Sequence, residues 1–398
     1  MFSSPRFICR LSLFSTLLSA FLFSQSIAAA QESPLSESFS EFDQNSTITI
    51  NHEPLSANYR QTVFPVGRSM NRLWNKNKET FAASHIVYGN TRPSRFEGNR
   101  VFFHAFSEAH KAFFEGYQLG LENLSNRQPL ANLNKNEQLA FWLNLHNVIV
   151  INKLVDEYPI SRLRGFRLGG SGKDSYWTKK VTTIEGVSLS LNDIERIVIE
   201  NWDNPIVIYG FFQGSVGGPS LPREAFDGEN VWELLEANAI EFVNSNRGVR
   251  PKNGRLEVSD FYEWVMAAFR HSKDNLRTHI GYYADENFLG DISGLHTIQF
   301  DYYDWYIADI MEGSYHVGDT TNPAAILGAT SDESNSTLQN VLLNYLVHDM
   351  RLNTLPARSL NLFNGIVINN DVPFKTPVVT VEECRPGDDC YNPQDEKE

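Results

Sequence analysis

The sequence predicts an α+β fold, predominantly helical, arranged around a small β-sheet. A buried helix at about 135–157 is expected at its centre, with a glycine-rich loop following a core strand. Three observations carry this. First, Leu139, Phe141, Trp142, Leu143, Leu145, Val148, Ile149, Val150, Ile151, Leu154 and Val155 are apolar on every side of a helix, and a helix of that kind must be central. Second, Ile206, Val207, Ile208 and Tyr209 form a short apolar run bounded by turn formers, the pattern of a buried strand, before Gly210, Gly214, Gly217, Gly218, Pro219 and Pro222. Third, apolar residues recur at helical spacing in several other stretches, among them Phe103 to Leu121 and Val231 to Val243.

The first residues are read as an address. Arg6 and Arg10 form a positive start, Leu11 to Phe23 an apolar stretch, and Ala28, Ala29 and Ala30 a small-residue cleavage site, so 1–30 is expected to be a signal peptide. Thirteen residues are too few to span a bilayer, and no later run approaches the ~20 required, so an exported chain without a transmembrane segment is expected, periplasmic or secreted. Without Arg6 and Arg10, 32 of the 34 basic side chains remain against 48 acidic ones, a net charge of −16, which argues against a nucleic-acid partner. Cys384 and Cys390 are the cysteines left after the leader. In an oxidising compartment they are expected to form a small-loop disulfide.

In chain order, 31–50 reads as a flexible lead-in, rich in Ser, Glu and Gln. The main domain is expected over 51–290. Asn134 caps the central helix and Glu137 stands at its third position; Pro159 ends it. A hairpin follows around Glu185 and Gly186, then a helix capped by Asn192 or Asp193, the strand and loop, a helix capped by Asp227 or Asn230, and a helix from Phe261 to Phe269 behind Ser259 or Asp260. Residues 291–398 read as an accessory layer packed on the same domain. It comprises a strand-like aromatic run from Ile298 to Ile310, a polar linker from Gly328 to Thr337 and a helix from Leu338 to Leu352.

At 100° per residue Glu137, Asn144 and Asn147 fall within about 80° of one another, a polar stripe on a helix otherwise too apolar to be exposed. Buried amides need partners, so Asn144 and Asn147 either bond backbone of a neighbouring loop, which is the commoner outcome, or face a ligand. The loop is the natural neighbour, and a ligand there would meet Gln213, Gly214, Ser215, Gly217, Gly218 and Ser220. His104 and Glu108 stand four apart, a spacing metals use, but no third ligand is legible and neither metal nor cofactor is expected. Arg162, Arg164, Arg167, Lys173, Lys179 and Lys180 form a basic segment that reads as a solvated face or a seat for an anion. No nucleophile, base and orienting group can be read together, although His271 or His279 could supply a base.

Three stretches, Leu139 to Asn147, Val187 to Glu195 and Asn204 to Pro222, together resemble the bacterial family catalogued as domain of unknown function 547, over about Leu130 to Phe269. Gly217 to Ser220, Glu241 to Gly248 and Pro377 to Cys384 look like an exported branch of it. Many members carry two cysteines in the loop where Gln213 and Gly218 stand here, so the resemblance implies no thiol chemistry at this loop. His146 stands where a tyrosine is common. The resemblance implies a domain without an assigned activity, and no catalytic residue is assigned. The expected function is a cell-envelope binding or scaffolding protein, with an unknown small molecule or envelope component as its partner. The alternative is an envelope hydrolase or transferase working between the 210–222 loop and the Asn144/Asn147 face.

Overall fold

The computed structural model describes residues 35–66, 94, 97–170, 172, 174–313 and 381–383. The leader, the 328–337 linker, the 338–352 helix, Cys384 and Cys390 lie outside them. The α+β, predominantly helical architecture is observed. Its axis is the helix Lys135–Glu157. Asn134 caps it, accepting the backbone N–H of Asn136 and Glu137 at 3.0 Å each, and every residue from Glu137 to Ile151 is buried.

The helices Glu108–Arg127, Leu191–Trp202 and Val231–Val243 pack around that axis. Leu191–Trp202 starts two or three residues earlier than a cap at Asn192 or Asp193 would place it, because Ser190 is the cap and closes a capping box with Asp193. The small sheet has three strands: Val249–Lys252 pairs antiparallel with Arg255–Ser259, which pairs parallel with Ile298–Tyr302. Two-stranded pairs join 48–50 to 381–383, 63–64 to 100–101 and 182–184 to 187–189, the last being the hairpin at Glu185 and Gly186. Part of the expected lead-in is packed, since Phe39 is buried edge-on against Trp142.

The expected core strand at 206–209 is instead a 3₁₀ helix, Pro205–Gly210. Pro205 presets helical φ at its start and Asn204 caps it by accepting the Ile206 N–H at 3.2 Å. The run is buried as expected, packed against Val231–Val243 and Leu191–Trp202. A four-residue apolar run has no periodicity that could separate the two conformations. The strand-like run after 298 is likewise shorter, ending at Tyr302, and 303–310 continues as an irregular segment over the glycine loop.

Every residue of 206–222 is buried. The loop backbone is paired with the 304–308 segment: Val216 N–H donates to the Tyr306 carbonyl, Gly217 N–H to the Asp304 carbonyl, and Ala308 N–H to the Gly214 carbonyl, each at 2.8 Å. Two of the glycines are required by this arrangement. Gly214 sits at φ +74°, and a Cβ on Gly217 would stand 2.6 Å from the Asp304 nitrogen.

Candidate functional site

The polar stripe of the central helix fastens the chain. Asn147 donates from Nδ2 to the Gly210 carbonyl at 3.0 Å and accepts the Phe212 N–H at 2.9 Å. Asn144 does the same one segment further on, donating to the Phe226 carbonyl at 2.7 Å and accepting the Phe226 N–H at 3.0 Å. Glu137 accepts the N–H groups of Gly228 at 3.0 Å and Ile50 at 3.3 Å, and burial pushes its carboxyl up to about 7 in spite of them. Both amides thus bond backbone, Asn147 at the glycine loop and Asn144 beyond it.

The loop serines are enclosed. Ser215 Oγ lies 2.6 Å from the Tyr303 hydroxyl, and burial holds that phenol protonated far beyond the usual range, so it cannot take the serine's proton. Ser220 Oγ accepts from Asn99 N–H and from Arg247, both at 3.0 Å, and donates to Glu241 at 3.1 Å; its donor and both lone pairs are used. His279 is bonded to the Tyr209 hydroxyl at 3.0 Å, where burial pushes it down to about 4, and His271 is exposed. Neither histidine is bonded to a loop serine.

Gly217 and Gly218 lie against Asp304 and Gln213; a Cβ on Gly218 would stand 2.7 Å from that of Gln213, so the two positions at which the resembling family carries cysteines are side by side. His104 and Glu108 do not share a helix face. His104 belongs to a 3₁₀ turn, Phe103–Ala105, with its Nδ1 3.9 Å from Asp309, whereas Glu108 opens the next helix and is exposed. No group of three or more His, Cys, Asp or Glu placed to hold a metal occurs among the described residues. No helix among them is long and apolar enough to cross a membrane.

Gln213 points to an open site. Its Nε2 donates at 3.1 Å to Glu195, a carboxylate that also accepts Trp177 Nε1–H at 3.0 Å, His146 Nε2 at 3.3 Å and Arg167 at 3.3 and 3.4 Å. Burial alone would raise the Glu195 carboxyl; the Arg167 charge, His146 and Gln213 outweigh it and hold the group down at about 2. The Arg167 guanidinium lies between the Trp177 ring, 5.0 Å from its centroid, and the Trp264 ring, 4.6 Å away.

Arg167 and Glu195 of this cluster form the floor of a cleft of about 540 Å³. One wall is the 192, 195, 196, 199 face of the helix Leu191–Trp202; the other carries Leu168, Trp264 and Ala267. A second cleft, about 290 Å³, lies between Glu115, Lys153 and Tyr176 and contains none of these buried groups.

The basic segment therefore divides. Arg167 enters the cleft floor, Arg162 donates to the Tyr306 hydroxyl at 2.9 Å, Lys180 pairs with Asp193 at 2.6 Å, and Lys173 lies outside the described residues. Glu195 was legible in principle: it is a carboxylate amid Leu191, Ile194 and Val198 on the apolar face of its own helix, where an ion requires a partner.

The structure thus defines a helical α+β domain with a closed glycine loop and an Arg–Glu cluster opening to one side. Residues 130–243 match the family model described as protein of unknown function, DUF547, which supports the family resemblance over the segment holding the central helix, the loop and Glu195. No curated protein and no solved structure matches the chain.

Proposed function

We propose that this chain is a binding protein of the cell envelope, exported behind the 1–30 leader, with the cleft above Arg167 and Glu195 as its ligand seat and the glycine loop as the rigid fastening beneath it. The observation that carries this reading is the contrast between the two regions. The loop and the Asn144/Asn147 face use their polar groups on one another and on the 304–308 segment, whereas the Arg167–Glu195 floor opens into a cleft of ligand size. A hydrolase working at the loop would need Ser215 or Ser220 beside a base, and both hydroxyls are buried and engaged as described. Membership of an exported branch of the family, and a Cys384–Cys390 disulfide in the tail, are parts of the same proposal; peptide mapping under non-reducing conditions checks the disulfide, which free thiols at both positions would remove.

The test is a ligand-stabilisation screen of the exported protein with cell-wall fragments, anionic polymers, peptides and nucleotides, its N-terminus read by mass analysis. A binder should raise the unfolding midpoint of the wild type and not of Ala267→Trp, which fills the cleft from an exposed position. A binder that stabilises both equally moves the site elsewhere, and an intact Met1 on the exported protein removes the leader from the reading.

A further inference from the structure

The Arg167–Glu195 floor of the cleft has hydrogen-bond donors that its own carboxylate does not use up. Asn147 has its amide orientation fixed, because Nδ2 donates to the Gly210 carbonyl and Oδ1 accepts the Phe212 N–H. His146 Nδ1 lies 3.1 Å from that same Oδ1, so it must be an N–H. Its other nitrogen, Nε2, lies 3.3 Å from Glu195 Oε1, an oxygen that also receives the Trp177 and Gln213 N–H groups. His146 is fully buried.

His146 and Arg167 thus lie against the same carboxylate, and among the described residues Glu195 is the one within ion-pair distance of either. The rim supplies Arg167 no further partner, since Asp193 is paired with Arg196 and the remaining rim carboxylate, Glu200, is exposed to solvent. Tyr303, which adjoins the cluster, is held protonated by burial. Arg167 uses NH1 on Asn192 at 3.2 Å and on Glu195, and NH2 on Glu195, which leaves its Nε–H and one NH2 hydrogen without an acceptor among the described residues. Above that floor the wall of Leu168, Ile199, Trp264 and Ala267 is apolar.

We infer that the cleft takes a small organic carboxylate, its anionic end on the unused Arg167 donors and its apolar body against Trp264 and Leu168. This rests on the cleft being a ligand seat and names the class of ligand. A planar carboxylate matches the unused side of the guanidinium fork, and a cleft of about 540 Å³ holds such a molecule with its body out of water.

The experiment compares phenylacetate with its neutral isostere phenylacetamide, and with inorganic phosphate and glucose, by calorimetric titration of the intact chain. Phenylacetate is expected to bind about tenfold or more tightly than the amide, as a charge-assisted bond to Arg167 requires, and to lose binding in Ala267→Trp. Because Arg167→Ala removes a side chain packed between two tryptophans and could unfold the site, Arg167→Lys serves beside it; loss of the preference for the acid in a folded Arg167→Lys variant supports the assignment.

Equal binding of acid and amide, blocked by Ala267→Trp, would leave the seat and overturn the carboxylate. Glucose or phosphate as the tighter binder would do the same. Absence of binding by every probe at the cleft would overturn the carboxylate, and with no binder from the wider screen the seat as well.

Discussion

Asn147 holds the glycine loop to the central helix with both ends of one amide and receives a third bond from His146. Leucine has nearly the same volume and none of these groups. In Asn147→Leu the Gly210 carbonyl, the Phe212 N–H and the His146 Nδ1–H are all left in a buried site without partners. The expected cost is about 1–3 kcal/mol for each polar group orphaned, with relaxation keeping the total toward the lower end. A urea unfolding curve measures it, and a midpoint within error of wild type would show that the amide fastens nothing. Asn144 and Asn147 could be found from sequence because a helix apolar on every side makes any polar residue conspicuous. Arg167 could not, because its neighbours Arg162, Arg164, Lys179 and Lys180 are the same kind of residue and only the fold selects the one that turns inward.

At the scale of elements, the glycine loop is read correctly as a backbone device, but the partner it needs lies about ninety residues away. Patterns local in sequence place the central helix, the 182–189 hairpin and the three long helices, since capping residues and apolar spacing are contained within each. The pairing of 214–217 with 304–308 is not local, and 298–310 is rich in aromatic and β-branched residues throughout, which is why that run reads as longer strand than it is. Gly217 tests the pairing. A methyl group there meets Asp304 backbone at 2.6 and 2.9 Å, and backbone cannot yield as a side-chain tip can. Gly217→Ala is expected to destabilise by about 1–3 kcal/mol through overpacking. Gly165→Ala is the control: nothing lies within 4 Å of its Cβ and it sits in the helix Arg164–Leu168, so it should be neutral or stabilising by about 0.5–1 kcal/mol. Equal effects from the two substitutions would mean that the 304–308 segment does not press on the loop.

For the whole molecule, the segment that matches the family model is smaller than the unit that buries it. Within 130–243 lie the central helix, the loop and Glu195, but the groups that close them come from both sides. Phe39 covers Trp142, the Glu41 carbonyl accepts from Gln138, and Asn99 binds Ser220 and the Leu221 carbonyl. From the other side Arg247 and Ser259 bind Ser220 and the Gly217 carbonyl, Trp264 covers Arg167, and 304–308 carries the loop backbone. A chain of 130–243 alone would expose the largest apolar faces of the core and leave the loop's N–H and C=O groups to water, losing apolar burial without recovering the conformational entropy that an ordered loop costs. Expressed by itself, that segment is expected to retain helical far-UV circular dichroism while losing near-UV signal and a cooperative urea transition, the behaviour of a chain with helices and no fixed packing. A chain of 35–398 should show both. A cooperative transition in 130–243 with native-like near-UV signal would mean that the matched segment is a domain in its own right and that the flanking contacts are decoration on it.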